Sequence, residues 1–285
     1  MQTFLALAFV ASFLAPQDPK PAPEAAPKSA EAKVAPPEAR LDASPRHHEW
    51  IDVASGAEKV HCFVAFPEVK EKAPVVLVLH ENKGLTTWVR AIADDLAAAG
   101  YVAVAPDLLS GKGPNGGNTE SFPSVDAATK GIYALDPAQV TANLNAVCEH
   151  AKKLDASNGK LAVAGFCWGG SQTFEFASCR TDLAVAFVFY GGAPKEKDAF
   201  ARIACPVYGF YGENDNRITA GVEPTKDVMK SAGKTFEPVI YAGAGHGFFR
   251  AGESAEPGDA NRKARDEAWT RVKAILSASF AAKPK

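Results

Sequence analysis

Leu161-Ala-Val-Ala-Gly-Phe-Cys-Trp-Gly-Gly170 is the stretch whose reading decides the fold. An apolar run of strand character enters a Gly-x-Cys-x-Gly turn, and residues 170–178 continue with apolar side chains at helical spacing. Glycine is needed at positions 165 and 169 because side chains flanking so tight a strand-to-helix turn would collide with neighbouring backbone. Gly169-Gly170-Ser171 starts the helix with almost no bulk, so it can lie close against the strand before it. Cys167 then projects from a sharp turn at a helix N-terminus, where unpaired amides and the helix dipole favour a thiolate and a developing oxyanion. The plainer alternative is a buried structural cysteine in a glycine-rich turn.

Working outward, apolar runs bounded by turn residues recur at 50–53, 60–66, 75–80, 102–105, 184–190, 207–211 and 237–241, which with 161–166 makes eight candidate strands. The first two are too close together for a helix between them and should form an antiparallel hairpin at a sheet edge. The later strands alternate with helical periodicity at 87–99, 137–153, 170–178, 222–232 and 261–282. Such alternation predicts an α/β architecture, a mostly parallel eight-stranded sheet with helices on both faces. Residues 110–136 are rich in Gly, Pro and polar side chains, and a long loop over the site is expected there.

A nucleophile turn of this kind needs an acid and then a histidine further along the chain. The run 207–211 ends in Gly212-Glu-Asn-Asp215, which places Asp215 at the carboxyl end of the sheet, where ligands bind; Glu213 competes for the same role. The run 237–241 ends in a glycine-rich loop presenting His246, whose ordinary pKa suits proton transfer near neutrality. His80 ends a strand too early in the chain for this role. The run 75–80 leads into Glu81 and Asn82, in the loop that supplies an oxyanion amide; the expected donors are the backbone N–H groups of Asn82 and Trp168. Together these describe an α/β-hydrolase fold.

With those residues in view, the chain resembles the dienelactone hydrolase family over residues 50–280. The similarity is strongest at His80-Glu-Asn-Lys-Gly84, 96–108, Gly165 to Gly170, Gly212 to Asp215 and Gly245 to Arg250. The resemblance implies Cys167 as nucleophile with Asp215 and His246 as partners, and Glu81 as a carboxylate that helps generate the thiolate. It also implies Arg250 beside a substrate carboxylate. A second family arginine has no counterpart among residues 110–136, so neutral esters should serve about as well as anionic lactones.

The 31 basic and 33 acidic side chains nearly cancel and form no cationic run, which argues against nucleic acid as a partner and for a small ester or lactone. Residues 1–15 carry an apolar run too short to span a bilayer and read as a signal peptide directing export to the periplasm or beyond, although Met1-Gln-Thr3 lacks the usual positive charge; an uncleaved anchor is the alternative. Residues 16–46, almost entirely Pro, Ala, Lys and Glu, read as a disordered linker, and 47–285 as the catalytic domain, with no stable membrane insertion once the signal is removed. Cys62, Cys179 and Cys205 suit small buried hydrophobes, and five cysteines cannot all pair within one chain. The reading calls for no cofactor or metal and for a monomer. It is a thiol-dependent hydrolase working through an acyl-enzyme; a non-catalytic exported binding module on the same fold is the competing class.

Overall fold

A computed structural model describes residues 34–256 and 258–281. The strands are β1 (His48–Ser55), β2 (Glu58–Ala65), β3 (Ala73–Leu79), β4 (Val102–Asp107), β5 (Ser157–Phe166), β6 (Leu183–Phe189), β7 (Val207–Gly212) and β8 (Phe236–Tyr241). They form one sheet in the order β1-β2-β4-β3-β5-β6-β7-β8. β1 pairs antiparallel with β2, as two strands joined by a short turn must, and β2 pairs antiparallel with β4. Every other neighbouring pair is parallel. This is the α/β-hydrolase fold that the sequence predicts.

The helices are α1 (Pro37–Asp42), α2 (Thr87–Ala98), α3 (Val125–Tyr133), α4 (Pro137–Ala151), α5 (Trp168–Cys179), α6 (Lys197–Arg202), α7 (Asn216–Thr219), α8 (Val222–Ser231), α9 (Phe248–Ser254) and α10 (Ala260–Phe280). Side chains alternate across a strand, so β3 sends Val75, Leu77 and Leu79 into one buried cluster and Val76 and Val78 into another. Phe174 of α5 and Met229 of α8 fill the first cluster; Ile92 of α2, Phe249 of α9 and Leu276 of α10 fill the second. Burial on both faces is why the central strands read as unbroken apolar runs.

Three expectations are corrected. The linker was expected to reach residue 46, yet residues 37–42 form α1 and the next few residues are held by ion pairs: Arg46 pairs with Asp94 at 2.6 Å, and Ser44 donates to the same carboxylate at 2.7 Å. These polar anchors outweigh a composition poor in large apolar residues. Residues 110–136 are not one loop but two short turns followed by α3, which Ser124 caps by accepting from the Ala127 amide. Cys179 is exposed, at the solvent end of α5, whereas Cys62, Cys148 and Cys205 are buried; all five thiols are free. The predicted signal segment and most of the predicted linker lie outside the described residues. No described helix is long and apolar enough to cross a membrane.

Candidate active site

The turn after β5 carries the strain that its glycines anticipate. Cys167 sits at φ 55°, ψ −114°, a conformation that L side chains rarely adopt. Backbone hydrogen bonds hold it there: its own N–H donates to Phe189 O at 3.0 Å, and Ser171 N–H donates to its carbonyl at 3.1 Å. A Cβ at Gly165 would overlap the Gly169 carbonyl, and one at Gly169 would overlap the backbone of Leu79 and His80. The start of α5 therefore abuts the end of β3. That contact brings Trp168, first residue of α5, alongside the 80–84 loop, and the Trp168 ring stacks on His80 with centroids 5.4 Å apart.

Asp215 follows β7 and is 6% exposed. Its carbonyl accepts from Ile218 and Thr219, which fixes the turn into α7. Glu213, the competing acid, is turned the other way and accepts from the Gly243 amide at 2.8 Å. It braces the histidine loop, as do Asn214 N–H donating to Ala244 O at 2.8 Å and Gly245 N–H donating to Asn261 Oδ1 at 2.9 Å.

His246 bridges the other two groups: Nδ1 lies 2.5 Å from Asp215 Oδ2, and Nε2 lies 3.1 Å from Cys167 Sγ. The acceptor-only carboxylate assigns the proton on Nδ1. The hydrogen bond to Cys167 is the largest influence on the imidazole and raises its pKa; burial opposes this and the bond to Asp215 adds to it, bringing the value to about 9. An imidazole raised in this way and facing sulfur is the setting in which cysteines become reactive.

Glu81, expected to act on the thiol, is buried and accepts from Arg250 Nε at 2.8 Å. Arg250, expected beside a substrate carboxylate, thus already holds a carboxylate of the protein. Asn82, next in the loop, donates from Nδ2 to Tyr133 Oη on α3 at 3.4 Å, so the helix missed in sequence forms part of the surround. His80 is fully buried; Leu108 N–H donates to its Nε2 at 3.2 Å, which leaves Nδ1 as the donor to Glu81 O at 2.7 Å. Burial lowers its pKa, so the ring stays neutral and pins the 81–82 peptide.

Tyr190 was also missed. It follows β6 at φ 39°, its ring meets that of His246 edge-on at 5.0 Å, and its fully buried hydroxyl has no protein partner. Burial first, then the nearby Glu81 and Cys167, raises its pKa. Its one sequence signal was an aromatic hydroxyl at a strand end before Gly191-Gly192. Among the described residues no group of three or more His, Cys, Asp or Glu could hold a metal ion.

Comparison with known proteins shows the family and the fold. Residues 60–280 match the Dienelactone hydrolase family. A Salmonella typhimurium protein named "Putative carboxymethylenebutenolidase" is 31% identical over 233 residues, covering 77% of this chain and 83% of its own. A Saccharolobus solfataricus protein of the same name is 31% identical over 252 residues, covering 78% and 95%. The crystal structure of a Klebsiella pneumoniae "Putative Dienelactone Hydrolase" superposes with a TM-score of 0.71 at 25% identity, over 81% of this chain and 98% of that one.

Proposed function

The chain belongs to the dienelactone hydrolase family, and from that premise we propose that it opens ester or lactone carbonyls through a thioester on Cys167. One observation carries the reading: His246 joins Asp215 at 2.5 Å to the sulfur of the strained turn at 3.1 Å.

In the proposed sequence Cys167 Sγ attacks the substrate carbonyl carbon as a thiolate, and the carbonyl π electrons move onto oxygen. The amides of Trp168 and Asn82 receive that oxyanion. As the carbon–oxygen bond breaks, His246 Nε2 gives its proton to the leaving oxygen, which in a lactone stays tethered to the acyl group. The neutral imidazole then takes a proton from water, and hydroxide attacks the thioester. Collapse of the second tetrahedral species frees the acid and restores the thiolate beside an imidazolium. Asp215 holds the tautomer and stabilises the charged ring throughout.

The names of the relatives denote cleavage of a butenolide, an unsaturated lactone, and support a lactone as the natural class. Arg250 gives its Nε to Glu81, so only part of one guanidinium is left for a substrate carboxylate, and neutral esters should turn over about as well as anionic lactones. Intact-mass detection after mixing with p-nitrophenyl acetate tests the proposal. One acetyl group on Cys167, lost in Cys167→Ala, is expected; undiminished turnover in that variant refutes it. The first fifteen residues are proposed to direct export, which a cytosolic protein with an intact N-terminus would disprove.

A further inference from the structure

α9 starts two residues after His246 and is only seven residues long, too short to be helical without tertiary support. Its Phe248 and Phe249 are buried in the aromatic cluster, and Gly252 packs against the backbone of Asn261. Two ion pairs, one helical turn apart, add anchors to other elements. Arg250 Nε reaches Glu81 at 2.8 Å, and Glu253 Oε1 accepts from Arg40 at 3.0 Å.

Arg40 belongs to α1, ahead of residues 60–280 where the family match lies. Its guanidinium uses separate nitrogens for two carboxylates: one for Asp95 on α2 at 2.6 Å, the other for Glu253. Arg40 is 14% exposed and Glu253 8%. Burial raises the pKa of both carboxyls, and Arg40 is the first influence opposing it in each. The other cation near Glu253, Arg265, is farther off at 3.8 Å and also donates to Asp266 at 2.9 Å.

We infer that Arg40 is a positioning residue for the catalytic histidine loop: it clamps Glu253 to α2 and thereby fixes α9, which carries Arg250 and continues directly from His246. Through this one residue, α1 supports the histidine loop and is not only a tether. The inference rests on the proposed role of Cys167 and His246, so its readouts include one that needs no turnover.

The test uses the full chain with Arg40→Gln, Arg40→Lys and Glu253→Gln, and Arg46→Gln as control. Arg46 also anchors the arm, through Asp94, without touching α9. Melting temperature, kcat/KM on p-nitrophenyl acetate, and the pH profile of Cys167 alkylation by iodoacetamide are measured. Displacing a catalytic group by about 1 Å can cost up to ~100-fold, so Arg40→Gln should lose roughly 10- to 100-fold in kcat/KM. Its alkylation profile should move to higher pH as His246 loosens from the sulfur. Glu253→Gln should do the same, and Arg40→Lys, which keeps the charge but cannot span both carboxylates, should fall between. Arg46→Gln should lower the melting temperature and leave both other readouts unchanged. Wild-type kcat/KM and alkylation in Arg40→Gln and Glu253→Gln would overturn the inference, as would an equal activity loss in Arg46→Gln. Should the wild type form no thioester, the nucleophile assignment fails instead, and the alkylation profiles still report whether Arg40 governs His246.

Discussion

Replacing Cys167 with Ala should return most of the perturbed pKa of His246 toward its ordinary value. The hydrogen bond to sulfur is the largest influence on the ring, burial works against it, and Asp215 comes next. The distance between about 9 and 6.5 corresponds to roughly 3 kcal/mol in favour of the imidazolium, an upper figure because about a third of the ring meets water. Removing the sulfur deletes both its hydrogen bond and its charge; removing the Asp215 charge, in Asp215→Asn, deletes the smaller contribution. Imidazole NMR titration should give a midpoint of about 9 in the wild type, a smaller fall in Asp215→Asn and a larger one in Cys167→Ala. The sign carries into catalysis. Below the raised value the ring holds the proton that the leaving group needs, and as pH rises through about 9 it loses that proton. Hydrolysis of alkyl esters should therefore decline above that pH, while p-nitrophenyl esters, whose leaving group departs as the anion, should not. Alkyl and aryl profiles that fall together, or a Cys167→Ala midpoint still near the wild-type value, would refute this account of the pair.

Gly169→Ala should unfold or destabilise the protein by about 1–3 kcal/mol or more, since the added Cβ meets backbone at Leu79 and His80; chemical denaturation reads this directly. Tyr190→Phe should be neutral in thermal unfolding, or stabilising by roughly 1 kcal/mol, because the hydroxyl it removes is buried without a protein partner; a clear loss of stability would mean that water or a neighbour satisfies it. Glu81→Gln should leave the Arg250 charge uncompensated, so inhibition by a carboxylate-bearing hydrolysis product should tighten about tenfold or more, the worth of one charge-assisted contact, while a neutral ester's KM stays put.

The three residues of the proposed triad were legible because each closes a local pattern: an apolar run leading to Cys167, to Asp215 and to His246, in the required order. Asp215 and Glu213 are separated by one residue, and long-range contacts decide which turns to the imidazole: Glu213 accepts from the Gly243 amide, and Asp215 meets His246. α3 left a readable signal in Val125, Ala128 and Ile132 at helical spacing after the Ser124 cap, but the glycine- and proline-rich residues before it made the whole stretch look irregular.

Arg40 left no local signal. A mean composition of Pro, Ala, Lys and Glu counts apolar area and is blind to one guanidinium meeting carboxylates 55 and 213 residues away. The same blindness explains Glu81 and Arg250. Each was recognisable as unusual at its place, and neither sequence window says that the two meet, because they stand 169 residues apart. A carboxylate with its side chain 8% exposed must be paired or protonated, and the nearest cation is the one the resemblance assigns to substrate. Only Nε of Arg250 meets Glu81, so an anionic lactone can take the terminal nitrogens of the same guanidinium while Glu81 keeps its own contact. Substrate and the buried carboxylate are then joined through one guanidinium, which no local sequence pattern announces.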